Sequence, residues 1–304
     1  MTVEKSIFIS IASYRDPDLV STVSDCFSKA VSKDKLFFSV VSQAEDDEHP
    51  DLSFIPTNQL RYTKMHWSEA RGACFARSIS SQDINTQFFL QIDSHSRFKP
   101  SWDFTIVGSY LNVSKYWGKE IILTNYPDPF EIGEDGCVKL IDYKDLRKLD
   151  AYWDDGSKMV QAWYDWPNTV NDKVGDEVYF LSGNSFFCPS VVMEKVPYDK
   201  ELYFTGEEPS MALRAYTRGI KLISPVVKYM YTNYNRENPP RRLHWKDHPD
   251  WWNLNKSSYQ RLAKIMTGDT SLGVWGIGSV ELFKKYQERS GVYLEDKYEV
   301  ISSI

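Results

Sequence analysis

Asp93 and His95 set a carboxylate and an imidazole two residues apart, in the segment Asp93-Ser94-His95. Carboxylate and imidazole donors together suit Mn2+ (or Mg2+), ions that also hold phosphate oxygens. A turn closed by an Asx hydrogen bond, with the His in solvent, accounts for the same residues equally simply. Three arginines, Arg15, Arg71 and Arg77, offer guanidinium forks that match phosphate or carboxylate oxygens. Arg71 and Arg77 also fit a solvated helical face, although Gly72, Ala73 and Ala76 between them would let another surface approach closely. Gly206-Glu207-Glu208 places two carboxylates at a predicted helix start. There they either favour the helix dipole or hold the hydroxyls of a ligand. Ser182-Gly183-Asn184 is either a tight turn or a place where bare backbone meets a ligand. The run Arg241-Arg242-Leu243-His244-Trp245-Lys246-Asp247-His248 gathers bases and aromatics in a Pro-rich loop. It reads as solvated surface, or as a lid supplying a cation, a ring that stacks and a third metal ligand in His244. His49 and His66 show no partner pattern and read as surface or packing.

The elements that must position these groups follow from hydrophobic periodicity. Ser6 to Ala12, Leu36 to Ser42, Leu60 to Tyr62 and Gln87 to Ile92 are predicted strands, rich in Ile, Phe and Val. Asp18 to Ser32 and Trp67 to Ser80 have helical spacing, with Asp16-Pro17 as a start signal for the first. Strands and helices alternating in this way imply crossovers and a mostly parallel sheet. In such sheets ligands bind outside the carboxyl ends of the strands. Ser13-Tyr14-Arg15 ends the first strand and Asp93-Ser94-His95 the fourth, so both clusters should face one crevice. Residues 126–176 mix Pro, Gly, Asp and Trp and read as loops with short strands. Glu177 to Pro189 reads as two strand pieces, Glu207 to Arg218 as a helix stopped by Gly219, and Leu222 to Tyr231 as a strand. Helices near Ser257–Met266 and Ser279–Arg289 close the chain. The expected class is α/β: a mostly parallel sheet flanked by helices, a mixed second part of the sheet and a helical C-terminal segment. A catalytic domain is expected over 1–250, with a helical extension over 251–304 packed on it.

Composition narrows the function classes. The 304 residues are 42% hydrophobic and 26% charged, which excludes disorder over most of the chain. A net charge of −6 argues against nonspecific wrapping of nucleic acid while leaving a local basic patch open. Aromatics at 15% suit cores and also clefts that stack on rings. The cysteines Cys26, Cys74, Cys137 and Cys188 form no CxxC pair, which excludes a zinc ribbon. The opening apolar run is short and broken by Ser and Tyr, unlike a signal peptide, and no 18-residue apolar stretch exists. A cytoplasmic, reducing setting without a membrane partner is the expectation.

In order along the chain, SIASYRDPDL, WSEARGACFAR, FFLQIDSHSRFKPSWD, FTGEEPSMALRAYTRGIKLISP, RRLHWKDH and WGIGSVELFKKYQERSGV resemble one family. It is the GlcNAc-transferase family typified by the Skp1 hydroxyproline GlcNAc-transferase, and the resemblance runs from about residue 6 to 292. More remotely, the sequence is similar to the mucin-type polypeptide GalNAc-transferases, which share the D-x-H motif and an acidic helix start. The resemblance implies a GT-A (Rossmann-like) fold, a UDP-sugar donor with UDP-GlcNAc foremost, a divalent metal, and retention of anomeric configuration. It implies Asp93 and His95 on the metal and Ser13, Tyr14 and Arg15 beside the uridine. Arg71 and Arg77 would lie on the nucleotide or diphosphate, and Glu207 or Glu208 on the donor sugar or acceptor. Beside these, Ser94 and Gly183 are read from their own positions as donor-binding.

The sequence departs from that pattern where relatives carry a His before an Arg: here Met230 stands in the stretch. Either His244 replaces it as third ligand, or phosphate and water complete the shell. The expected function is a metal-dependent retaining glycosyltransferase acting on a hydroxyl of a protein or glycan. Two alternatives stand beside it: a glycosyltransferase for hydroxylated pyrimidine bases in phage DNA, and a noncatalytic glycan-binding module. A nucleotide-dependent oxidoreductase is excluded, because SIASYRD lacks the G-x-G-x-x-G fingerprint.

Overall fold

The computed structural model describes residues 5–156, 158–294 and 297. The first four residues of the opening segment and residues 295, 296 and 298–304 of the expected extension lie outside the described residues. In chain order the first half comprises β1 (Ile7–Tyr14), α1 (Leu19–Lys29), β2 (Leu36–Ala44), β3 (Leu60–His66), α2 (Ala73–Ser80), β4 (Phe88–Asp93), β5 (Ser96–Phe98), α3 (Trp102–Trp117), β6 (Ile121–Thr124), β7 (Asp128–Ile132) and β8 (Val138–Leu140). There follow β9 (Arg147–Asp154), β10 (Met159–Thr169), β11 (Glu177–Val178), β12 (Ser185–Pro189), α4 (Ser190–Lys195), α5 (Glu207–Tyr216), β13 (Lys221–Ile223), β14 (Met230–Thr232), α6 (His244–Asp247), α7 (Trp251–Met266) and α8 (Val280–Ser290).

The main sheet has eight strands in the order β11-β13-β6-β12-β4-β1-β2-β3. β1 pairs in parallel with β2 and with β4, and β2 with β3. β12 runs antiparallel between β4 and β6, which makes the second half of the sheet mixed. A smaller sheet, β5-β14-β7-β8, and the β9–β10 hairpin complete the strands. The central strands are covered on both faces, so they read as continuous apolar runs rather than alternating ones. One buried cluster joins Ile9, Ile11 and Val40 to Leu19, Val23 and Trp102 of the helices on one face. The other joins Phe8, Phe89 and Phe186 to Met211 and Leu213 of α5, Leu262 of α7 and Phe283 of α8. The α/β class holds, with a parallel half, a mixed half and helices closing the described chain.

Three local expectations need correction, and one helix escapes the sequence pattern. The helix over Trp67–Ser80 is two pieces: a 3-10 turn at Trp67–Glu69, then α2 from Ala73. Gly72 separates them with φ of 97°, a conformation that favours glycine. Residues 222–231 split into β13 and β14 in different sheets, because Pro225 between them cannot continue a ladder. α3 is not legible in WDFTIVGSYLNVSKYW, which is rich in aromatic and β-branched residues of modest helix propensity. It is held instead by burial of Trp102, Ile106, Tyr110 and Val113 on one side, and by a Trp102 indole N–H donated to the Cys26 carbonyl at 2.8 Å. α7 begins at Trp251, six residues before the sequence pattern shows it.

Gly72 also carries a packing constraint. A Cβ there would stand 2.2 Å from the Tyr203 carbonyl oxygen. Gly72→Ala should therefore destabilise the protein by about 1–3 kcal/mol through the strained φ alone, with the clash adding to it. Urea unfolding of wild type and variant checks this, and unchanged midpoints would contradict the close approach.

Candidate active site

The strand ends converge as the topology requires. In the β1–β4 register Ala12 faces Asp93, so the turn after β1 lies beside the D-x-H segment. A cleft of about 670 Å³ opens there, of a size that suits a small-molecule site. Tyr14, Asp93, His95, Gly183, Glu207 and Glu208 line it. Residues 233–245 close part of its mouth with Tyr234, Arg236, Arg241, Arg242 and Trp245.

At the floor Arg77 lies buried between two carboxylates. It donates through Nη2 to Asp93 Oδ1 at 2.5 Å and through Nη1 to Glu207 Oε1. Arg77 sits on α2, Asp93 ends β4 and Glu207 starts α5, so one guanidinium joins three elements. Burial pushes the Asp93 carboxyl up, but Arg77 and His95 outweigh it and hold it at about 2. The second Asp93 oxygen stands 3.5 Å from His95 Nε2. His95 Nδ1 lies 2.7 Å from Asp16 Oδ2, which also accepts from the Ser94 hydroxyl at 2.7 Å. Burial pulls the imidazole down, but the flanking carboxylates of Asp16 and Asp93 raise it above its ordinary value. The flanking carboxylates thus favour the protonated imidazole.

These residues fit a divalent cation. Two atoms sharing an ion at bond lengths of about 2.0–2.2 Å stand roughly 3–4 Å apart, and the 3.5 Å gap matches. Among the described residues no group of three or more His, Cys, Asp or Glu is arranged to hold a metal, so any ion here would rest on Asp93 and His95 with non-protein ligands. His244 does not extend the pair. Its Nε2 lies 3.0 Å from the Ala70 carbonyl, which can only accept, and its Nδ1 lies 2.7 Å from the Tyr203 hydroxyl. Burial pulls this imidazole down to about 4, and the ring stacks on His248 at 3.9 Å between centroids. With both nitrogens engaged, the ring anchors the 233–250 segment instead of presenting a lone pair. Met230 is 2% exposed in the core and takes no part in the cleft.

The remaining expected residues divide. Tyr14, Ser94 and Gly183 line the cleft. Ser13 and Arg15 line an adjoining recess of about 300 Å³. Arg15 is held 3.4 Å from Asp247 and lies over the Trp67 ring. Arg71 is exposed beside the Phe75 ring and lines neither space, because α2 starts after it. Arg77 is enclosed by carboxylates, so it braces the floor instead of offering a free cation. Glu208 accepts from the Gly183 N–H at 2.7 Å and from the Tyr126 hydroxyl at 3.0 Å. Burial pushes its carboxyl up, the Gly183 N–H opposes this, Glu207 adds to it, and the result is about 7. Asp16 is the residue the sequence hid: Asp16-Pro17 reads as a helix start, and only the folded turn brings it under His95.

An α/β frame with a cleft of about 670 Å³ at its parallel strand ends fits the GT-A class of glycosyltransferases. The sequence matches the family Glycosyltransferase (GlcNAc) over residues 6–55 and 53–290, and the chain belongs to that family. No curated protein matches it in sequence. Among solved structures, it is similar to GalNAc-T7 crystallised with UDP, GalNAc and Mn2+ (TM-score 0.58, 14% identity, covering 94% of this chain and 55% of that one). The chain therefore spans about half the length of GalNAc-T7. It is also similar to the mannosyltransferase PcManGT from Pyrobaculum calidifontis in complex with GDP-Man and Mn2+ (TM-score 0.53, 12% identity, 97% and 73%). At these identities the likeness shows the fold.

Two tests follow. Removing one member of a buried ion pair typically costs about 3–5 kcal/mol, because its partners stay buried and uncompensated. Arg77→Met, which keeps the length of the chain, should lose about that much in chemical denaturation, and a neutral effect would show that Asp93 and Glu207 do not need it. Glu208 gives a pH signature. A carboxyl raised in the folded state favours folding while protonated, and that contribution is lost as pH rises from its ordinary 4.5 to about 7. The melting temperature of wild type should fall relative to Glu208→Gln across that window, and parallel curves would contradict the raised value.

Proposed function

We propose that this chain transfers a sugar, GlcNAc, from UDP-GlcNAc to a hydroxyl acceptor, with retention of configuration and dependence on Mn2+ (or Mg2+). The observation that carries the reading is the Asp93–His95 pair lining the cleft, with Oδ2 and Nε2 3.5 Å apart. The similar structures named above hold nucleotides or nucleotide-sugars with Mn2+, which supports the same donor chemistry here. Membership of the Glycosyltransferase (GlcNAc) family supports GlcNAc in particular.

The ion, held by Asp93 Oδ2 and His95 Nε2 with phosphate and water completing its shell, would offset the negative charge of a departing diphosphate. The protein's own groups do the rest. Tyr14 and Ser94 border the donor from the sheet side. Arg241, which lines the cleft with its Nε buried and without a partner, is the cation we assign to the diphosphate in place of Arg71 and Arg77. Glu208, whose neighbour Gly183 lets the backbone approach, is assigned to the donor sugar or the acceptor. Glu207 is committed to Arg77 and Glu208 to Gly183 and Tyr126. That favours attack by the acceptor on the face the leaving group quits, over a covalent intermediate on either carboxylate.

Phe204 and Tyr234, 44% and 45% exposed, stand with Trp245 at the mouth and offer ring faces to a hydroxyl-bearing acceptor. A protein or glycan hydroxyl suits the net charge of −6 better than DNA. Every residue lining the cleft falls before 251, in keeping with a catalytic part over 1–250 and an extension over 251–304. Among the described residues no helix is long and apolar enough to cross a membrane. The buried free thiols Cys26, Cys74 and Cys188 support a cytoplasmic setting.

With Mn2+ the protein should release UDP from UDP-GlcNAc, and EDTA should stop it. Asp93→Asn should lower turnover by about 100-fold or more, in line with the several kcal/mol a metal supplies to a departing anion. Full activity in the folded variant would remove the assignment. NMR of the early product should show the donor's anomeric configuration.

A further inference from the structure

Asp16 has no place in the chemistry above, yet it is tied to the D-x-H segment more closely than any other residue. Its side chain is 5% exposed. Oδ1 accepts from the Asp18 N–H at 3.0 Å, closing an Asx turn, while Oδ2 lies 2.7 Å from both His95 Nδ1 and the Ser94 hydroxyl. The chain reaches this point through a sharp corner. Arg15 adopts a left-handed φ of 46° and donates its N–H to the Gln43 carbonyl at 2.9 Å. Without that corner the chain leaving β1 would run on past the end of β4. His95 is pinned from behind as well, because its carbonyl accepts from the Asn233 N–H at 3.0 Å.

An ionised carboxylate only accepts hydrogen bonds. The proton between Asp16 and His95 therefore belongs to Nδ1, and in the neutral ring Nε2 keeps its lone pair. Nε2 is the atom that faces Asp93. We infer that Asp16 is a positioning residue: it fixes the tautomer and ring plane of His95 so that Nε2, beside Asp93 Oδ2, is presented to a divalent cation. This rests on reading the cleft as a metal-dependent site. Ser94 belongs to the same device, since its hydroxyl holds the Asp16 oxygen in place at the edge of the cleft. Outer partners of metal-bound imidazoles are commonly worth about 10–100-fold in metal affinity. A carboxylate that merely closed the turn after β1 would affect stability and leave metal affinity alone.

Manganese binding read without turnover separates the two roles, using electron paramagnetic resonance of free Mn2+ titrated into the full chain with UDP present. Asp16→Ala should bind Mn2+ about 10–100-fold more weakly than wild type. Asp16→Asn, whose amide oxygen still accepts from Nδ1, should recover part of the loss. A folded Asp16→Ala with wild-type Mn2+ affinity overturns the inference while leaving the metal site standing. A wild-type chain that binds no Mn2+ overturns the metal reading itself, and the inference with it. If Asp16→Ala does not fold, the wild-type protein decides through long-range 1H–15N correlation of the neutral His95 ring. A proton on Nδ1 and a bare Nε2 support the inference, and a proton on Nε2 overturns it.

Discussion

A guanidinium enclosed by two carboxylates governs the geometry of the cleft. Arg77 reaches from α2 to Asp93 at the end of β4 and to Glu207 at the start of α5. In a low-dielectric interior each of these groups alone would be costly, and together they offset one another. The consequence is mechanical as much as electrostatic. The strand that carries Asp93 and the helix that carries Glu207 and Glu208 cannot shift apart without exposing an unpaired charge. Gly183 fits into the same assembly: a Cβ there would stand 2.9 Å from Arg77 Nη1 and 3.4 Å from Glu208, so only a bare backbone leaves both in place.

Around this brace the charges are unbalanced in a useful direction. Asp16, Asp93, Glu207 and Glu208 crowd the floor, while Arg77 satisfies only two of them. The imidazole of His95 sits between Asp16 and Asp93, which raises its affinity for a proton or for another cation in its place. The floor is lined by carboxylates and the rim by Arg236, Arg241 and Arg242, so opposite charges stand at the two ends of the cleft. The rim segment is not loose. His244 is fixed to Ala70 and Tyr203, and Asp247 accepts from the Tyr14 hydroxyl at 3.1 Å, so the lid is stitched to the strand end it covers.

Much of this frame was legible because it rests on short-range pattern. The buried runs of β1, β2 and β4 announce central parallel strands, and the strand-end rule places Asp93 and Tyr14 at one crevice before any coordinates. What stayed hidden depends on tertiary context. α3 has the composition of a strand and becomes a helix because one of its sides is buried. Arg71 and Arg77 look alike in sequence, but Gly72 breaks the helix between them, leaving one exposed and the other at the centre of the site. Asp16 and His244 show the limit most clearly. Asp16 is distant in sequence from His95 and is joined to it by the corner at Arg15. His244 has the residue type of a metal ligand, but an imidazole is only as available as its two nitrogens, and both are bonded elsewhere.

The account stands or falls on where a divalent ion sits. Crystals of the wild-type protein soaked with UDP and MnCl2, measured at the manganese absorption edge, locate it directly by anomalous scattering. The account requires a single peak within bonding distance of Asp93 Oδ2 and His95 Nε2, with diphosphate oxygens on its far side. A peak elsewhere, or ordered UDP in the cleft with no manganese at that pair, would contradict it.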